Sequence, residues 1–139
     1  MKLPIAPLAV LAVLVPATAL AADDRCPIES LDLAVIEKGI KDAPSCDAAL
    51  SMFKTCSVGA SGDVGLGAVV TEKCEAVFDG KLSAQQKSAY SRIRQACQTK
   101  YAKESGTMYR SFEAFCLAQA AHKTAKPFFP PAATKAPDK

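Results

Sequence analysis

Residues 59–67 read Gly-Ala-Ser-Gly-Asp-Val-Gly-Leu-Gly (GASGDVGLG) and hold four of the chain's seven glycines. Such a run is either a phosphate cradle in an α/β nucleotide protein or a sharp join between helices. A dinucleotide fingerprint needs a strand before its glycines and a βαβ unit around them. Here the run follows a segment of helical spacing that ends near Cys56. A P-loop closes on Gly-Lys-Ser/Thr, whereas Gly67 is followed by Ala68. Asp63 stands where a phosphate would approach and would repel it. The glycines therefore mark a turn, with Asp63 as N-cap of the next helix.

Working outward, the apolar spacing stays helical. Ser30 to Ala43 carries Leu31, Val35, Ile36 and Ile40 at helical intervals, and Pro44 stops it. A second helix starts at Ser45 or Asp47, with Ala49, Met52, Phe53 and Cys56 on one face. A third, from about Val64 to Phe78, carries Leu66, Val69, Val70, Cys74 and Val77, and Asp79-Gly80 ends it. Ser83-x-x-Gln86 is a capping-box pattern opening a fourth, which runs to about Lys103 with Ala89, Tyr90, Ile93, Cys97 and Tyr101 facing inward. The fifth spans Thr107 to His122, with Met108, Phe112, Phe115 and Cys116 on one side. No stretch alternates with a strand's period of two. The expected fold is a small all-α domain of four or five short helices.

The ends of the chain differ from this body. Lys2, the apolar run Leu8–Val15 and the small-x-small site Ala19-Leu20-Ala21 read as a secretory signal peptide over 1–21. The run is short for a bilayer span and is flanked by prolines, so no stable membrane insertion is expected after cleavage. Asp23-Asp24-Arg25 before Cys26 does not suit a lipoprotein signal. Residues 123–139, rich in proline, lysine and alanine, read as a flexible or partly docked tail. Residues 22–122 form one domain, and a periplasmic or secreted location follows.

All six cysteines lie in that domain. In an exported chain an even count reads first as three disulfides. Metal binding lacks partners, since there is one histidine and no C-x-x-C pair; C-x-x-C-H haem attachment is absent too. No cofactor is expected. Residues equidistant from a helical turn meet on antiparallel helices. Cys97 and Cys116 lie nine and ten residues either side of Gly106, which pairs them. Cys46 and Cys74 lie fourteen residues either side of Ala60, and Cys26–Cys56 is left over. A local Cys46–Cys56 bridge is the main rival. It needs an irregular segment, because ten residues of helix separate two Cα atoms by about 15 Å.

Nothing marks a catalytic centre. His122, the one histidine, stands at the edge of the tail and reads as solvated; nothing marks it out with Ser111 or Glu113, and Glu72 with Glu75 is an ordinary pair one helical turn apart. No catalytic residue is assigned, and the protein reads as a non-enzyme. Net charge is +3, and Lys81, Lys87, Arg92, Arg94, Lys100 and Lys103 form an acid-free basic run. Such a run is commonly a solvated helix face, but it also suits an anionic envelope component such as a lipid head group or polyanion. Export argues against nucleic acid as partner. Tyr109 and Arg110, of types favoured at binding hot spots, are candidate contacts alongside Lys87, Arg92 and Arg94.

The C-terminal half, KLSAQQKSAYSRIRQACQTKY followed by GTMYRSFEAFCLAQAAHKTAKPF, resembles the bacterial LprI-type lysozyme-inhibitor family. The matching positions are Leu82, Gln86, Arg94, Cys97, Gly106 and Cys116. The resemblance implies an exported inhibitor that binds a lysozyme-like protein, and its first cysteine pair would correspond to Cys46 and Cys56. The tryptophan common before the family's arginine is missing, Cys26 and Cys74 are additional, and the basic 81–103 region is the opposite of the acidic surface a cationic lysozyme calls for.

Overall fold

A computed structural model describes residues 25–130. The segment 1–21 expected to be a signal peptide, residues 22–24 and the end of the expected tail, 131–139, lie outside the described residues. The described chain is all-helical: α1 (Leu33–Asp42), α2 (Cys46–Cys56), α3 (Asp63–Phe78), α4 (Ala84–Tyr101), α5 (Thr107–Ala125) and a 3-10 turn (Lys126–Phe128).

Local chemistry sets most boundaries. Ser45 caps α2 by accepting from the Ala48 N–H at 3.1 Å. Ser83 and Gln86 form the reciprocal capping box of α4, at 3.3 and 2.8 Å. Gly80 and Gly106 take positive φ where α3 ends and α5 begins. α5 is the central element. It packs most extensively on α3, then on α4 and α2, while α1, α2 and α3 also contact one another. The core is built around fully buried Ile40, Phe53, Leu66, Val70 and Cys74.

Three disulfides staple the domain: Cys26–Cys56, Cys46–Cys74 and Cys97–Cys116. No Cys46–Cys56 bridge forms. Regular helix from Cys46 to Cys56 holds the two at opposite ends of α2. No cysteine is free among the described residues.

The helix faces depart from the simplest apolar reading in several places. On α1, Ile36 and Ile40 are buried, but Val35 is exposed, and so is Leu31 just before the helix. Ile93 on α4 is also exposed, because α4 touches the body along a narrow strip of which only Tyr90 and Cys97 are buried. On α5 the buried face carries Ser111, Ala114, Ala118, Ala121, His122 and Ala125, while Met108 and Phe112 face outward. A helix enclosed on several sides needs small residues where its neighbours approach, so alanines take the interior. Gly67 shows how close that approach is. A Cβ there would lie 2.9 Å from Ala114 Cβ and 3.1 Å from the Ala114 carbonyl oxygen.

α5 continues past His122 to Ala125, so the tail starts later than residue 123. Phe128 and Phe129 pack back against the core. His122 is not a solvated terminal residue. It is buried, bonds Asp47 Oδ1 through Nε2 at 2.7 Å, and meets the Phe129 ring edge-on at 5.7 Å.

Candidate functional site

Asp63 explains the glycine-rich join: the loop's backbone donors are turned onto its carboxylate. Gly62, not Asp63, is the cap position of α3, and Asp63 is its first residue. The Asp63 carboxylate turns back and accepts backbone N–H groups from Val58 at 3.0 Å, Gly59 at 2.9 Å and Ala60 at 3.3 Å. The Ser111 hydroxyl donates to it at 2.6 Å from α5. Gly59 holds φ at +72°, which lets the loop present these donors to one side. The Asp63 side chain is thus completely buried and fully hydrogen-bonded inside its own loop.

The residues capable of acid–base chemistry are dispersed. Ser111 is engaged with Asp63, Glu113 with Arg110, and His122 with Asp47. Eleven residues of helix place Ser111 and His122 about 16 Å apart. No group of three or more His, Cys, Asp or Glu side chains suited to a metal occurs among the described residues. Among them, too, every buried side-chain nitrogen and oxygen has a hydrogen-bond partner.

A concavity lies between α3 and α4. These helices follow one another in the chain, yet both rest on α5. They meet chiefly through side chains. The Phe78 and Tyr90 rings touch edge-on with centroids 5.2 Å apart. The Tyr90 hydroxyl donates to Glu75 Oε1 at 2.7 Å, and Arg94 pairs with the same oxygen at 3.3 Å while lying 5.8 Å from the Tyr90 ring centre. Burial, then the hydrogen bond to Glu75, pushes the Tyr90 phenol above the usual tyrosine range. Beside this clamp is a groove of about 830 Å³, bordered by Glu72 and Asp79 on one wall and by Lys87, Ser91, Gln95 and Gln98 on the other. A second hollow of about 440 Å³ shares Glu72, Glu75 and Arg94 with it and continues down to Val64, Ala68, Ala114 and Leu117. The two hollows meet at the Glu75–Arg94 pair and form a furrow along α3, walled by α4 in its first half and by α5, through Arg110, Glu113 and Leu117, in its second.

The structure sorts the contact residues read from the sequence into different places. Lys87 and Arg94 both line the groove. Arg92 is five residues from Lys87, about 140° around the helix, and bonds Ser88 Oγ at 2.8 Å. Lys100 lies on that other side as well, so the basic run is split between two faces. Arg110 closes the α4–α5 turn, donating to the carbonyls of Tyr101 at 2.6 Å and Glu104 at 3.3 Å and pairing with Glu113 at 2.9 Å. Tyr109 packs edge-on against Phe112 at the same turn, 6.2 Å between ring centres. The sequence reading missed Tyr90 as a clamp member and dismissed Glu72 and Glu75. The pairing of an aromatic hydroxyl with an acid fifteen residues away has no local signature.

Among the described residues, no helix is long and apolar enough to cross a membrane. No family model matches the chain, and neither does any curated protein or solved structure.

Proposed function

We propose that this chain is an exported, non-enzymatic binding protein of the bacterial envelope, related to LprI-type lysozyme inhibitors, that engages a lysozyme-like protein. The observation that carries the binding reading is the furrow between α3 and α4. Its central groups are already fixed against one another by the Glu75–Tyr90–Arg94 clamp, so a partner would meet a preorganised surface. Three disulfides suit an oxidising compartment, periplasmic or extracellular. The acids on the α3 wall, Glu72 and Asp79, also supply the negative surface that a cationic lysozyme favours.

The test is direct. Oxidised protein starting at Ala22 is titrated into c-type, g-type and i-type lysozymes, with binding and cell-wall lysis both recorded. Inhibition of one class below micromolar concentration is the expected result. Absence of binding to all three would overturn the lysozyme assignment.

A second reading has its own observation. α4 carries Lys87, Arg92, Arg94 and Lys100 and no acid, and all four are exposed. An anionic lipid head group or polyanion would bind such a helix. Binding of that kind falls steeply with ionic strength, whereas a shape-driven protein contact does not. Heparin affinity measured at two salt concentrations separates the two.

A further inference from the structure

The walls of the furrow are of opposite charge. The α3 wall presents Glu72, Glu75 and Asp79, while that helix's one lysine, Lys73, turns away to donate to the Lys41 carbonyl at 2.8 Å. The α4 wall presents Lys87 and Arg94, and α4 contains no acidic residue. Only Glu75 and Arg94 neutralise each other across the gap. Glu72, Asp79 and Lys87 make no ion pair among the described residues, and all three are exposed.

We propose that this furrow docks one amphipathic helix of a partner protein, with basic side chains along the edge facing α3 and acidic side chains along the edge facing α4. This deepens the reading of the chain as a binding protein and rests on it. The shape favours a helix. Positions from Val64 to Asp79 line the furrow along α3, a length of about 22 Å, or roughly 15 residues of helix. Two helices resting on a third leave a seam that a fourth would fill, as in a bundle. Ala68, exposed on α3, lines the second half and would let a docked backbone come close. The other common modes of peptide capture fit poorly. No strand edge is present among the described residues to pair an extended segment, and a polyproline groove needs exposed aromatic rings, whereas Tyr90 is buried. The two charged walls would fix the partner's direction and register, as flanking charges do in coiled coils.

The test uses two synthetic 15-residue helical peptides of equal composition. Both carry leucine and alanine along the centre. One sorts lysines to one edge and glutamates to the other; the second mixes them on both edges. Binding is read by fluorescence anisotropy and by amide shifts of the isotope-labelled, oxidised protein. The sorted peptide should bind about fivefold more tightly, the scale of two or three exposed ion pairs, with shifts concentrated at residues 64–79 and 87–98. Glu72→Lys and Lys87→Glu, both at exposed positions, should each remove most of that preference without changing the circular dichroism spectrum. Equal affinity for the two peptides, or shifts centred elsewhere such as Met108 and Phe112, would overturn the proposal. No lysozyme is used, so the outcomes separate. Peptide binding without lysozyme binding leaves the furrow and removes the partner assignment, and the converse does the reverse.

Discussion

Removing the Asp63 carboxylate should be among the most damaging single changes in this protein. The side chain is fully buried and accepts from three backbone N–H groups and from Ser111 Oγ. Hydrogen bonds to a charged group contribute about 1.5–3 kcal/mol each, and an orphaned buried donor costs about 1–3 kcal/mol. In Asp63→Ala the Val58 and Gly59 N–H groups lose their acceptor, and Ser111, only 1% exposed, loses its partner. The loop can turn some donors to water, because Gly59 and Ser61 are exposed. We therefore expect a loss of about 3–4 kcal/mol. Asp63→Asn keeps the volume but sets an amide donor against donors, for about 2–3 kcal/mol; Ser111→Ala should cost about 1–2 kcal/mol. Urea unfolding of the oxidised protein, followed by circular dichroism, is the assay. With an m-value of about 1.5 kcal/mol/M, Asp63→Ala should lower the midpoint by roughly 2 M. Ser111→Ala should cost much less in the Asp63→Ala background than alone, since their shared bond is already gone. A midpoint shift below about 0.5 M for Asp63→Ala, or strict additivity of the pair, would refute the assignment of this carboxylate as the organiser of the 58–63 loop.

Further outcomes follow from other contacts. Gly67→Ala should lower stability by about 1–3 kcal/mol even though alanine favours helix, because its methyl would overlap Ala114; a thermal melt checks this. Tyr90 should ionise well after free tyrosine, so an ultraviolet titration of the folded protein should show one phenol still protonated at a pH where the urea-unfolded chain has lost it. Its pKa is raised by folding, so the unfolded state releases that proton first, and the associated stability, complete below about pH 10, should fall as pH rises beyond it. The double variant Cys97→Ser/Cys116→Ser should lose about 3 kcal/mol on the chain-entropy scale for a separation of 19 residues. Because α4 buries little besides Tyr90 and Cys97, amide exchange should accelerate there before it does in α3. His122→Ala removes the bond to Asp47 and the contact with Phe129, and should expose the 126–130 segment to limited proteolysis while leaving the melting of the core nearly unchanged.

What the sequence alone determined here is what neighbours in the chain decide. Ser45, the Ser83/Gln86 box, Pro44 and the turn glycines act over three or four residues, so the five helices are legible without coordinates. Two cysteine pairs are legible for a related reason: a helical hairpin brings residues equidistant from its turn together, and Cys26–Cys56 is what remains. Tertiary structure decided the rest. Asp63 reads as an N-cap until Ser111, 48 positions away, comes within 2.6 Å. His122 reads as a solvated end until Asp47 meets it across a separation of 75. The buried face of α5 is hidden in the sequence because alanine carries little apolar signal, whereas Met108 and Phe112 carry much and face outward. The furrow is the clearest case. Its acids and bases belong to two separate helices, and only the seating of both on α5 turns them into opposing walls, because charge complementarity depends on which surfaces face each other across space.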